Sequence, residues 1–329
     1  MRKTFLRVMF GLMLLLPVHL GLGSLQAMEK SILVTAGGVG GSWFIAGAAF
    51  TDVWGKSVPD LKTQLIPGGG SSNPIRVNKG EADIGFTYAT NAISAVKGEE
   101  PYKGKMGNLR GMANLQILQY LALAVLRNTG LTSYEQIREK KFPLKICPGT
   151  RGLGGELTFR RVIEEYGFSY QDIVKWGGKV YFAGWTESVS EIRDGRANAL
   201  TSQTVLQNPF MVELSTSRDM KYIPMGEKAV KRLVSKFGYS RAVVPKGAYK
   251  GMDDDYLTVA DSVVLVCKKD LSEELVYRLV KLLCENEKRW KATHVMFKEF
   301  KAQETAQLPE NFVLHPGAAK YFREKGYLK

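Results

Sequence analysis

The stretch Gly37-Gly38-Val39-Gly40-Gly41-Ser42-Trp43-Phe44 lies between two segments of different periodicity. Before it, Ser31-Ile32-Leu33-Val34-Thr35 is a short apolar run of the kind that forms a buried strand. After it, Ile45, Ala48, Ala49 and Val53 recur at helical spacing. The unit is strand, glycine loop, helix, a building block of α/β proteins. Ser42 is placed to cap the helix, because a serine oxygen accepts a bond from a free amide of the first turn. Glycines such as Gly40 let the loop turn sharply and bring backbone N–H groups close to a guest. The positive end of the helix favours a guest that is anionic. The same pattern also serves as a plain βα connection, and its spacing is neither that of a P-loop nor that of a dinucleotide fingerprint.

Working outward, Leu61-Lys62-Thr63-Gln64-Leu65-Ile66 alternates as a second strand and runs into Pro67-Gly68-Gly69-Gly70-Ser71-Ser72-Asn73-Pro74. Asn73 before Pro74 reads as N-cap and first helical position, so Ser71, Ser72 and Asn73 form a second polar cradle at a helix start. That helix is short and stops at Gly80; the strand Ala82–Phe86 then ends at Thr87-Tyr88-Ala89-Thr90-Asn91. Loops of this type gather along one edge of an open α/β sheet, where ligands bind. A second set follows. Leu121–Leu126 and Leu144–Cys147 read as strands, and the second leads into Pro148-Gly149-Thr150-Arg151-Gly152-Leu153-Gly154-Gly155 and a helix that stops at Gly167. The planar fork of Arg151 suits a carboxylate, either of a ligand or of an acid on the protein's own surface. Val180–Ala183 and Ala197–Leu200 read as further strands. Thr186 is placed to cap the helix between them, Thr201-Ser202-Gln203 stands at the end of the last, and Asn208-Pro209 starts another helix.

The N-terminus has Arg2, Lys3 and Arg7, an apolar run from Val8 to Leu22 broken by Pro17 and His19, and then Gly23, Ser24 and Ala27. That order is the order of a cleavable secretory signal peptide, residues 1–27, rather than a membrane anchor. No cysteine stands near the cleavage region, which argues against a lipoprotein, and a free periplasmic protein fits best. The formal charge is +14, or +11 once Arg2, Lys3 and Arg7 are removed. No nucleic-acid signature accompanies it, so the basic surface points to anionic solutes or an acidic membrane partner. Cys147, Cys267 and Cys284 have no metal-site spacing and form no cluster with His19, His294 or His315. Three buried thiols are expected, with a Cys267–Cys284 bridge as the alternative. His294 and His315 lack an oriented partner and no nucleophile elbow is present, so both are expected to be structural.

Five stretches in order resemble one family. They are Thr35-Ala36-Gly37-Gly38 through Phe44, Gly69-Gly70-Ser71 leading to Gly80-Glu81-Ala82-Asp83-Ile84-Gly85, Pro148–Gly152, Val244–Gly251, and Leu314-His315-Pro316-Gly317-Ala318-Ala319-Lys320-Tyr321. Together they are similar to the TAXI family of solute receptors of tripartite ATP-independent periplasmic (TRAP) transporters. The resemblance implies a two-lobed α/β binding-protein fold, type II-like, with the ligand cleft between lobes joined by two crossover strands. The crossings fall near Ala124–Arg127 and Thr258–Ser262, which gives lobe I as 28–125 plus 262–329 and lobe II as 126–261. It implies capture of a small anionic solute, a dicarboxylate or an amino acid such as glutamate, for delivery to a TRAP permease by a monomer without cofactor, metal or catalysis. The residues expected around the solute are Gly40, Ser42, Trp43, Ser71, Ser72, Asn73, Tyr88, Asn91, Thr150, Arg151, Gly152, Thr201 and Gln203. The sequence departs from the family at Pro74, in the loop Thr87–Asn91, at Thr150-Arg151-Gly152 and at Asn198, all in or near the expected pocket. A sensor of the same fold that reports to a membrane kinase is the alternative from another class. A secreted enzyme would need titratable groups in the cleft, and the loops quoted hold almost none.

Overall fold

The computed structural model describes residues 30–310 and 312–328, so the expected signal peptide lies outside the described residues. The chain opens with β1 (Lys30–Thr35), α1 (Ser42–Ser57), β2 (Leu61–Ile66), α2 (Ser72–Lys79), β3 (Ile84–Tyr88) and α3 (Ala89–Lys97). A long strand, β4 (Leu109–Leu126), carries it into a second half. That half contains α4 (Tyr134–Glu139), β5 (Lys145–Cys147), α5 (Gly154–Glu165), α6 (Tyr170–Lys175), β6 (Lys179–Val180), α7 (Trp185–Arg193), β7 (Ala199–Thr204), α8 (Pro209–Ser217), β8 (Met220–Tyr222), α9 (Glu227–Phe237) and β9 (Ser240–Val244). The long β10 (Tyr256–Lys268) returns to the first half, where α10 (Glu273–Glu285), α11 (Glu287–Thr293) and α12 (Pro316–Glu324) finish the chain.

The sheet order is β2-β1-β3-β10-β4-β7-β5-β6, with β8 on β4 and β9 on β10. Each half repeats one plan: three parallel strands, β2-β1-β3 or β6-β5-β7, followed by one antiparallel long strand. The long strands pair with each other between the two sets. β10 passes from β9 to β3 around Asp261–Ser262. β4 pairs with β10 between Leu109 and Tyr120 and with β7 over Tyr120–Val125. The first part of β4 was not legible as a strand. Gly111, Asn114 and Gln116 interrupt its apolar pattern, and Gln116 sits at φ 54° opposite a register shift in β10.

Separate apolar clusters fill the two halves. Phe50, Trp54, Phe86, Trp290 and Phe297 lie at the centre of one, and Leu123, Tyr134, Phe159, Val162 and Ile223 lie in another. Burial of this much aliphatic and aromatic surface on each side lets each half hold its own shape. The histidines are structural, as expected: His315 Nδ1 accepts the Gly317 amide at 3.2 Å at the start of α12, and His294 Nδ1 accepts the Met296 amide at 3.0 Å. Three helix starts differ from the expectation. α1 is capped by the backbone of Gly41, α2 begins one residue after Ser71, and α7 follows Gly184, so Ser42, Asn73 and Thr186 all lie inside their helices.

All three cysteines are buried free thiols, and no bridge joins Cys267 to Cys284. Burial pushes the Cys147 thiol up to about 12 and the Cys284 thiol up to about 11, and raises that of Cys267 further. The thiolate is the reactive species, so the folded protein should resist iodoacetamide near pH 8. In denaturant without reductant all three thiols should alkylate, read by intact mass; a single adduct would restore the bridge.

Asp261 lies on β10 where the strand crosses between halves, and its carboxylate sits at the start of α3. It accepts the Thr90 hydroxyl at 2.5 Å and the Thr90 amide at 3.4 Å. Burial raises its pKa from 3.8 to about 7, against the lowering effect of those bonds and of Arg161. The folded state therefore binds this proton at higher pH than the unfolded chain does. Its contribution works against folding as pH rises from about 4 to about 7 and is complete above that. Asp261→Asn should remove a loss on the order of 1–4 kcal/mol between pH 5 and pH 8. Urea unfolding of both proteins at the two pH values reads it; identical pH dependence in the two would refute the assignment.

Candidate functional site

The glycine loop after β1 is held by a turn from the Gly41 amide to the Gly38 carbonyl, 3.0 Å, with Gly40 at φ +78°. The first-turn amides of Ser42 and Trp43 have no acceptor among the described residues, as helix starts require unless a cap or guest supplies one. The Ser42 hydroxyl does not supply it. Trp43 turns its ring inward, 4.8 Å from the ring of Tyr88 and 6.2 Å from that of Phe86.

The loop after β2 is fixed from beneath by Asn73. Its Oδ1 accepts the Thr35 hydroxyl at 2.8 Å and the Gly69 amide at 3.0 Å; its Nδ2 donates to the carbonyls of Ala36 at 2.7 Å and Phe86 at 2.8 Å. One side chain thus ties the ends of β1 and β3 to the loop between them. Asn73 was expected to face a solute; its side chain is fully buried and spent on the backbone. Ser71 accepts from Asn91 Nδ2 at 3.3 Å, and the Ser72 hydroxyl donates to the Gly69 carbonyl at 3.2 Å. Ser71 and Asn91 are buried, so their polar atoms shape the loop from within.

The corresponding loop of the second half follows β5. Gly149 and Gly152 take φ of +90° and +80°, and the Gly152 amide donates to Glu156 Oε2 at 2.9 Å. The anion that this loop's glycines invite is thus already present on its own helix. Thr150, Arg151 and Gly152 are exposed. Arg151 lays its guanidinium 4.1 Å over the ring of Phe182, in open solvent rather than in a dry cleft.

The two halves meet at Tyr88. A Cβ on Gly70 would lie 2.6 Å from its ring and one on Gly154 only 2.2 Å, while a Cβ on Gly69 would lie 2.5 Å from Leu153. A glycine of each half approaches the Cδ2–Cε2 edge of the ring, with Trp43 4.8 Å away. Behind this contact is a buried polar chain that the sequence reading missed. Arg161 Nη1 donates to the Tyr239 hydroxyl at 3.0 Å, which donates to Thr158 Oγ1 at 3.1 Å, which donates to Gln203 Oε1 at 2.7 Å. Arg161 Nη2 also reaches the Glu100 carbonyl of the first half at 2.8 Å, and the side chain of Arg160 is ion-paired to that of Glu100. Thr201 and Gln203 lie within β7, not beyond its end, and face α5. Thr201 Oγ1, Gln203 Nε2 and Gln119 Nε2 are buried and lack partners among the described residues. Asp261 had a visible signal, a lone acid inside the apolar run Leu257–Cys267. Thr158, Arg161 and Tyr239 had none, since only the fold brings them together.

Two solved structures share this architecture. One is a protein of Bordetella bronchiseptica RB50, 15% identical, covering 91% of this chain and 81% of that one with a TM-score of 0.52. The other is PhnD1 of Prochlorococcus marinus (MIT 9301), solved with methylphosphonate, 13% identical, covering 91% and 100% of the chains with a TM-score of 0.53. The fold is that of the two-lobed binding proteins, with the lobes joined by β4 and β10. The family model that matches this chain is that of the NMT1-like family. It spans residues 34–326, and the chain belongs to the NMT1-like family.

Proposed function

We propose that this chain is a periplasmic solute receptor that closes its two lobes on a small anionic solute and presents it to a TRAP-type permease. The observation that carries the reading is the contact at Tyr88, where glycines of opposite lobes close on one ring beside the unpaired first-turn amides of α1. Such a contact forms only when the lobes are together, which is how two-lobed receptors enclose a guest. The amides of Ser42 and Trp43 would take the anionic group, with Gly40 giving access to the backbone. Trp43 and Tyr88 would cover the solute from lobe I, and Gln203 would offer its free Nε2 from lobe II. The permease assignment rests on the five ordered motifs, and the choice of a carboxylate solute on the same resemblance. The structure with methylphosphonate in the relative PhnD1 agrees with an anionic class. Lobe II already carries Glu156 on its glycine loop, so the α1 end is the better place for the solute's charge.

Native mass spectrometry of protein purified without added ligand is the direct test of solute class. A retained carboxylate or amino acid supports the reading, and a retained cation or neutral sugar overturns it. Closure has its own test. In Gly154→Ala the added methyl would fall 2.2 Å from the Tyr88 ring, so lobe and ring must part. The closed state should lose about 1–3 kcal/mol, and the retained solute should bind roughly tenfold more weakly. Gly107→Ala, where a Cβ meets nothing within 4 Å, is the control. Small-angle scattering should show the wild type and the control contracting with solute and Gly154→Ala contracting less. Equal contraction and equal affinity in all three would remove the Tyr88 contact from the mechanism.

A further inference from the structure

Away from the Tyr88 contact, lobe II has a groove of about 950 Å³ lined by residues 151–182 alone. Its wall is the face of α5 that bears Glu156, Arg160 and Glu164, and its other side is α6, β6 and Phe182. The solute reading does not use it, and of its lining residues only Arg160 reaches the other half, through Glu100. Four cations line it: Arg160 is paired with Glu100 and Glu156, whereas Arg151, Lys175 and Lys179 have no acid at ion-pair distance among the described residues, Lys179 Nζ lying 4.6 Å over the Tyr181 ring. Of its two carboxylates, Glu156 is taken by the Gly152 amide at 2.9 Å and by Arg160 at 3.6 Å, and Glu164 stands further along α5. The groove is also apolar. Phe182 and Tyr170 meet edge to face at 5.5 Å, and Val174 is 57% exposed beside them.

We propose that this groove is a second binding site for an amphiphilic anion, a carboxylate or sulfonate on an aromatic or branched apolar body. The argument is one of matched parts. A volume of this size holds a small organic molecule. The aromatic pair and Val174 give the body a surface on which to leave water. Arg151 is already oriented, because its stack on Phe182 fixes the plane of the fork and leaves its N–H groups free for a carboxylate or sulfonate. Lys175 and Lys179 add flexible charge. A simple inorganic anion would leave the apolar surface wet, and a neutral molecule would leave three cations unmatched.

The probe is 1-anilinonaphthalene-8-sulfonate, whose fluorescence reports binding, with the uncharged N-phenyl-1-naphthylamine as its partner. Wild type should bind the sulfonate saturably, one per chain, and the uncharged amine at least tenfold more weakly. The double variant Arg151→Gln with Lys179→Gln should weaken the sulfonate at least tenfold, and Val174→Trp, which fills the groove, should block it. These side chains are exposed, so unchanged melting temperatures will show that the variants fold; if Val174→Trp does not, the charge variant carries the test. Gly154→Ala, which acts at the lobe contact, should bind the probe as wild type does. The proposal fails if the groove variants bind as wild type, if Gly154→Ala weakens the probe as much as they do, if the uncharged amine binds equally well, or if no saturation appears below about 1 mM. Loss in Gly154→Ala alone would move the probe to the interlobe site and leave the receptor reading standing.

Discussion

The close approach of Gly70 and Gly154, one from each half, to the same edge of the Tyr88 ring is the constraint on which the contact between the halves depends. Any Cβ at either position would have to occupy space within 2.6 Å of ring carbons. Neither residue is at a positive φ, so the requirement is for room rather than for backbone freedom. The ring is oriented in turn by Trp43, and Trp43 is oriented by the glycine loop at whose end α1 begins. The positions that bring the lobes together are therefore also those that leave backbone amides open at the helix start. Burial pushes the Tyr88 hydroxyl far above its ordinary pKa, and the nearby Asp261 and Tyr239 push the same way. The residue remains a neutral hydrogen-bonding group throughout the physiological range.

Helix starts face the interlobe region from both sides, yet they are not equivalent. α3 has Asp261 at its first turn, and the loop before α5 has Glu156. Each is a resident carboxylate that meets the positive end of the dipole and satisfies an amide. A solute anion arriving there would have to displace a group already tethered at the helix start. α2 is served by its own turn, in which the amides of Ser72 and Asn73 bond back to Gly69. The start of α1 has neither an acid nor a side-chain cap. Counting what already occupies each helix end narrows the place for an anionic group more sharply than glycine content does.

Much of the fold was legible because short buried strands punctuated by glycine are a strong local signal. Leu61–Ile66 coincides with β2, Ser31–Thr35 falls within β1, and Gly80 and Gly167 are where the chain leaves its helices. What was not legible is long-range. β4 is one strand whose middle is bent at Gln116 and bonded through Asn114 to the C-terminal segment at Gln307, a partner far away in sequence. The candidate site divides the same way. Trp43 and Tyr88 were identifiable as aromatic residues near strand ends, and their rings lie 4.8 Å apart, while Gln203 lies against Gly155. Asn73 has the same local signature, yet its five bonds to three separate segments make it a structural clamp. Sequence position cannot separate a polar side chain that faces a cleft from one that faces the backbone beneath it.

Arg151 shows how a nearby aromatic changes the chemistry of a loop. Alone in a glycine loop, an arginine would be free to swing into the cleft and pair with a bound carboxylate. Phe182 offers it a flat surface 4.1 Å away, and guanidinium stacking costs less desolvation than a buried ion pair because one face of the group stays hydrated. The stack turns the charge away from Tyr88 and toward the α5–α6 groove, where Lys175 and Lys179 also project. Glu156 completes the separation. By holding the Gly152 amide it fixes the loop in the conformation that keeps Arg151 outside, and by pairing with Arg160 it joins the same helix face to the salt bridge with Glu100 of the other lobe. One buried carboxylate thus links the loop that meets Tyr88, the wall of the groove and, through Arg160, the salt bridge to the other half.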